Sequence, residues 1–285
     1  MEVPLTKSKS IARPQLPLRS ILIIPFVLQI VAAVGLLGYL SWKNGQKEVN
    51  NLATQLRGEV TSRIQQHVNN YLAIPHNINQ INIDAINRGL LDVRDLDTIQ
   101  KYFWDQMQIF PPASYIQLGL ESGYFIGVER LENGIFAAEI KDETTGEDKI
   151  ALALDERGNI TNQQLGISEN YNLQKRSWYV TAAEAKQAAW SDIYQFSSDR
   201  AVRLGIMAVE PIYEEDGSLL GVMGTDIVLS QLGDYLRGLK VGKSGQTFIV
   251  ERDGSLVASS TMTEPFLIKN GEAERLKITE IKEGL

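Results

Sequence analysis

Residues 21 to 42, ILIIPFVLQIVAAVGLLGYLSW, are apolar apart from Gln29, the terminal Ser41 and the amphipathic Tyr39 and Trp42. A bilayer core of about 30 Å takes roughly 20 such residues as a helix. A cleaved leader has a shorter apolar core and a small-x-small site. The run therefore predicts an uncleaved transmembrane helix. From Asn44 to Asn87 the pattern becomes helical: Val49, Leu52, Leu56, Val60, Ile64, Val68 and Leu72 recur every three or four residues. Each step after Leu52 is four, so the stripe slides around the helix and keeps no heptad register. Packing within its own domain or pairing with a second copy would each satisfy it. Pro75 predicts a kink or break.

Beyond Pro111 and Pro112 the period shortens. SYIQLGL, GYFIGVER, IFAAEIK and KIALALD are β-branched and aromatic runs separated by ESG, LENG and DETTGED, with ERGN after the last. They predict an antiparallel meander over 114–155. A helix is expected at about Trp178–Gln187 with Ser177 as its N-cap. VRLGIMAVEPIY and LLGVMGTDIVL predict two further strands joined through EEDGS, and LSQLGDYLRGL a short helix. QTFIVERDGSLVASS predicts one more hairpin before a polar tail. Helices segregated against an antiparallel sheet make an α+β chain: one transmembrane helix, a long helix, a sheet module, and the start of a second such module.

Composition narrows the function. The 285 residues carry a net charge of −7. Lys7, Lys9, Arg13 and Arg19 against Glu2 give residues 1–20 a balance of +3, leaving −10 for the remainder. An acidic body with a basic tail argues against nucleic acid as a partner. By the positive-inside rule the tail is cytoplasmic, so residues 43–285 are expected outside the cytoplasm, anchored in the inner membrane. Cysteine is absent and His67 and His76 are the only histidines. That removes a thiol nucleophile and argues against a histidine metal cluster or catalytic triad. No cofactor, metal or catalytic constellation is expected. VGKSGQT at 241–247 imitates a phosphate-binding loop, but Arg237 stands where its first glycine belongs and a strand follows it.

YNLQKRSWYVTA, residues 171–182, is the stretch with candidate chemistry. Arg176 offers a planar fork for a carboxylate and Trp178 one indole N–H, both near a helix N-terminus. Alternatively the aromatics fill the core and Arg176 pairs with an acid of the chain itself. Asp226 is an acid inside an otherwise apolar strand, unusual unless it faces a pocket or a partner.

A membrane anchor, a long helix, the R-x-W-Y segment and the GVxGxDI strand together resemble the double Cache (dCache) extracellular sensor domain over residues 43–285. The layout is similar to the input regions of bacterial transmembrane receptors, cyanobacterial sensor kinases and nucleotide cyclases in particular. The resemblance implies two PAS-like modules. Residues 1–20 would form a cytoplasmic tail, 21–42 the transmembrane helix and 43–100 a helical stalk. Residues 101–239 would form the membrane-distal ligand-binding module and 240–285 an incomplete membrane-proximal one, as in a truncated chain. In the amino-acid-binding subset, the motif matches Tyr171, Arg176, Trp178, Tyr179 and Asp226, with Tyr194 as a further pocket tyrosine. It implies that Arg176 and Trp178 hold the ligand carboxylate while Asp226 and the tyrosines hold its ammonium. Phe196 stands where many members carry an acid, which implies a more apolar side pocket. The expected function is extracytoplasmic sensing of a small molecule, an α-amino acid, without turnover, in a homodimeric receptor. The competing readings are an organic acid or amine as ligand, a membrane-anchored hydrolase, and a ligand-free structural module. On the first reading Arg176→Ala would cost on the order of 2–5 kcal/mol of binding, as for a buried charge pair.

Overall fold

The computed structural model describes residues 17–131, 134–196, 202–239, 241, 245–262 and 264–280. Most of the basic tail and residues 242–244 of the VGKSGQT loop lie outside them. The chain divides into two units, one ending at Ser62 and one beginning at Arg63.

Helix α1 runs unbroken over Leu18–Asn87. In the first unit its apolar stretch reaches a mean hydropathy of 2.2, and none of that stretch is buried within the protein. That segment is long and apolar enough to cross a membrane. Val49, Leu52 and Leu56 are exposed. In the second unit the same stripe is covered: Ile64, Val68, Tyr71 and Leu72 pack with Leu204, Ile227, Leu229, Leu232 and Leu236.

The break expected at Pro75 does not occur. A proline inside a helix costs about 3 kcal/mol, but its surroundings are pinned. Ile78 and Asn79 are fully buried, and the Tyr71 hydroxyl donates to the Val228 carbonyl at 2.8 Å. The helix ends after Asn87, with Gly89 at a positive φ of 68°.

A second helix, α2 (Leu96–Ile109), follows within what the sequence suggested was stalk and module start. Asp95 caps it by accepting from the Thr98 N–H at 3.1 Å, and Ile99, Phe103 and Met107 recur every four residues as its buried face.

The meander comes next: β1 (Ala113–Leu120), β2 (Phe125–Arg130), β3 (Phe136–Lys141), β4 (Lys149–Leu154) and β5 (Ile160–Ser168). A 3-10 turn at Leu173–Lys175 leads into α3 (Ser177–Ala185). Ser177 is the first helical residue and not the cap; Arg176 holds the cap position, in extended backbone, without a side-chain bond. Two short strands, β6 (Ala189–Trp190) and β7 (Tyr194–Gln195), precede β8 (Leu204–Tyr213) and β9 (Leu219–Val228).

These strands form one antiparallel sheet in the order β5-β4-β3-β2-β1-β9-β8-β6, with β7 also on β8. One face is covered by the helices: Ile116, Leu118, Ile126, Val128 and Met223 pack with Ile78, Ile83, Ile99, Phe103 and Met107. A polar pair crosses this interface. Thr225 donates to Asn79 Oδ1 at 2.7 Å, and Asn79 Nδ2 donates to the Ala208 carbonyl at 2.9 Å, with both side chains fully buried.

The remainder is α4 (Ser230–Gly238), β10 (Phe248–Val250), β11 (Leu256–Ser259), β12 (Phe266–Lys269) and β13 (Glu272–Arg275). β10 pairs with β11, and β12 with β13. The expected polar tail thus contains a second hairpin. Asn270 and Gly271, with φ of 54° and 86°, form its two-residue turn, the Asn-Gly signal of a type I′ hairpin.

Candidate ligand-binding site

On the face of the sheet away from the helices, side chains are ordered by strand register, because directly paired residues point the same way. One row runs Met207, Asp226, Tyr115, Glu129 across β8, β9, β1 and β2. The adjacent row runs Val209, Gly224, Gln117, Gly127, Glu139 and reaches Ala151 on β4. Two glycines here make room. A Cβ on Gly127 would lie 2.6 Å from the Tyr115 ring, and one on Gly224 would lie 2.7 Å from the Met207 sulfur. Without side chains at those positions, Tyr115 and Met207 lie flat across the floor.

The 3-10 turn and the start of α3 wall this floor. Tyr171 and Trp178 are buried against Phe125, with ring centroids 5.7 and 6.4 Å away. Between wall and floor is a cavity of about 300 Å³, at the lower end of the range for small-molecule sites. Tyr171, Arg176, Trp178 and Tyr194 all line it, as do Tyr115, Gln117, Glu129, Glu139, Lys149 and Met207.

Arg176 is exposed at the rim, its guanidinium 4.3 Å from the Tyr171 ring centroid. Its charge is therefore not buried among the aromatics. Solvent and a cation–π contact support the arginine. Lys149 lies over the same ring, at 4.8 Å. Burial pushes the Tyr171 phenol above its ordinary pKa, with Lys149 and Arg176 pulling the other way.

At the other end, Tyr194 donates a short hydrogen bond to Asp226 Oδ1. Asp226 is wholly buried, lies behind Tyr194, and leaves Oδ2 with no hydrogen-bond partner among the described residues. Burial raises its pKa from 3.8 to about 8; the Tyr194 bond opposes that, Glu129 adds to it, and Arg203 opposes it. Tyr179 is not brought to the cavity. Its hydroxyl donates to Glu121 at 2.6 Å, on the far side of α3's first turn.

Phe196 also lines the cavity. Glu129, from β2, puts a carboxylate into the same cavity and pairs with Arg203 at 3.5 Å. Sequence reasoning missed Glu129, Glu139 and Lys149. The signal that singled out Asp226, a charge inside an apolar strand, was equally present in FIGVER and FAAEIK.

The family model described as Cache domain matches residues 45–284. The chain belongs to the Cache domain family. The matched family is one of sensor domains. A stretch of 94 residues is 33% identical to the methyl-accepting chemotaxis protein McpB of Bacillus subtilis (strain 168), covering 32% of this chain and 13% of McpB. The Cache domain thus spans a small part of that relative's length. Among solved structures it is similar to the ligand-binding domain of the Campylobacter jejuni chemoreceptor Tlp3 in complex with 4-methylisoleucine. That match has 15% identity and a TM-score of 0.46, over 73% of this chain and 70% of that one. It is also similar to the ligand-binding domain of the Pseudomonas aeruginosa PAO1 amino acid chemoreceptor PctC in complex with GABA. There the identity is 19% and the TM-score 0.48, over 70% of this chain and 72% of that one.

Proposed function

We propose that this Cache domain binds a free α-amino acid in the cavity between α3 and the sheet, without turning it over. One observation carries the reading: Arg176, Trp178 and Tyr194 line one small cavity, and the buried carboxyl of Asp226 is bonded to Tyr194 behind it. Arg176, at the open rim, offers its fork to the carboxylate beside Trp178. Asp226, behind Tyr194, is a buried carboxylate with an unused oxygen. An ammonium reaching it would supply a counter-charge, and burial makes such a pairing strong.

The apolar stretch of α1 would anchor the chain in the inner membrane. The basic residues before it favour residues 43–285 outside the cytoplasm. The exposed stripe at Val49, Leu52 and Leu56 suits pairing with a second copy. Occupancy would be read out by an output domain through α1, the bistable element a receptor needs.

The test is a thermal-shift and calorimetric screen of the full chain in nanodiscs against the twenty amino acids, their decarboxylated amines and their deaminated acids. A rise in melting temperature with amino acids, lost with both one-charge analogues, is the expected result. Equal binding by an amine or an acid alone would overturn the zwitterion reading.

A further inference from the structure

We propose that the cavity selects amino acids whose side chains carry no net charge, and that the Glu139–Lys149 ion pair enforces this. The inference rests on the amino-acid reading above and names the ligand class within it.

Among the described residues, four charged side chains line the cavity: Glu129, Glu139, Lys149 and Arg176. Glu139 on β3 and Lys149 on β4 are joined to each other, and their side chains are only 7% and 12% exposed. Tyr115 donates to the same Glu139 oxygen. Lys149 also rests over Phe125 and Tyr171, at 5.2 and 4.8 Å. Tyr171 carries Arg176 as well, so the ion pair stands beside the group assigned to the ligand carboxylate. Glu129 is matched by Arg203.

Once a zwitterion has taken Arg176 and Asp226, each remaining charge on the wall has a counter-charge. A charged ligand side chain would then be buried against a closed pair. Capturing Lys149 for an acidic ligand strands Glu139, and capturing Glu139 for a basic one strands Lys149. An uncompensated buried ion costs several kcal/mol. A neutral polar side chain can lie against both members without separating them, and an apolar one can rest on Phe196 and Met207, which also line the cavity.

Length is not the constraint. Beyond the pair a second hollow of about 190 Å³ continues toward β5, lined in part by Ala151, Leu165 and Ile167, and it shares Glu129, Glu139 and Lys149 with the first.

The experiment is isothermal titration of the full chain with glutamine, leucine, glutamate and lysine, for wild type, Glu139→Gln, Lys149→Gln and the double variant. Wild type is expected to bind the neutral pair at least tenfold more tightly than either charged ligand. Lys149→Gln should gain affinity for lysine and Glu139→Gln for glutamate, while the double variant keeps the neutral preference. Wild type that binds glutamate or lysine as tightly as glutamine overturns the inference, and this comparison needs no variant to fold. Two single variants shifting toward the same ligand would overturn it as well. Absence of binding by all four, extended to the remaining amino acids, would overturn the amino-acid reading itself.

Discussion

The Tyr194 hydroxyl donates to one carboxylate oxygen of Asp226, and the other oxygen is buried without a hydrogen-bond partner among the described residues. Burial favours the protonated form of this carboxyl and the phenol's bond favours the ionised one, with burial the larger effect. Ionising Asp226 in the empty site therefore costs the fold stability.

Asp226→Asn should stabilise the ligand-free protein, by an amount that depends on pH. In the folded chain Asp226 titrates near 8, against 3.8 ordinarily. Between those values the unfolded state binds fewer protons than the folded one, so stability falls as pH rises. The penalty is absent below about pH 4 and complete above about pH 8. The gain in melting temperature on substitution should grow from pH 5 to pH 8. A constant difference across that interval would contradict the shifted carboxyl.

Binding an ammonium requires Asp226 ionised, so ligand uptake near pH 7 should release a proton. Affinity should climb toward pH 8, approaching tenfold per pH unit. Titration calorimetry in buffers of different ionisation enthalpy measures the proton directly. The release should vanish in Asp226→Asn.

Arg176→Ala separates binding from stability. The side chain is exposed, so its loss should change folding stability by no more than about 0.5 kcal/mol. Loss of a charge-assisted bond to the ligand carboxylate should cost about 1.5–3 kcal/mol of affinity. That is smaller than a buried pair would give. An unchanged dissociation constant would remove Arg176 from the site.

Gly127→Ala should strike the site through the floor. Its Cβ would meet the Tyr115 ring at 2.6 Å and the hydroxyl at 2.9 Å, pushing Tyr115 off Glu139. A destabilisation of about 1–3 kcal/mol is expected from such overpacking, with weakened ligand binding. Gly166→Ala, with nothing within 4 Å of its added carbon, is the control. Similar denaturation midpoints for the two variants would count against the close contact.

Asn79→Ala and Thr225→Val should each cost about 1–3 kcal/mol, because each leaves a buried partner unsatisfied. The double variant should lose less than the sum, as expected for residues sharing one bond. Additive losses in chemical denaturation would mean the two side chains act independently.

Much of the fold was legible because β1 to β4 are short β-branched, apolar and aromatic runs bounded by turn residues, and the helix ends at Asn87 as expected. The apolar run long enough to cross a membrane was legible by length alone. Helix α2 was missed although Asp95 and the Ile99, Phe103, Met107 spacing announce it, and the β12–β13 hairpin was missed although Asn270–Gly271 is its turn. Pro75 misled because one lost backbone bond is a local cost, while the packing around Ile78 that outweighs it is tertiary. At the site, Arg176, Trp178 and Asp226 could be chosen from residue chemistry, but their distances depend on register. Glu139 and Lys149 are ten residues apart on separate strands, and only the β3–β4 pairing joins them. Tyr179 is placed by helix phase, which turns it from its neighbour Trp178 toward Glu121.

Thr225 and Asp226 are consecutive residues of one strand, so one bonds Asn79 of α1 and the other bonds Tyr194 on the opposite face. Every substitution in that part of β9 is constrained from both faces of the sheet. Glu139 and Lys149 sit on β3 and β4, at a distance from that shared wall, whereas α2 packs on β1 and β2. On the proposed reading, ligand preference is set on β3 and β4, away from the Thr225–Asn79 bond that ties β9 to α1.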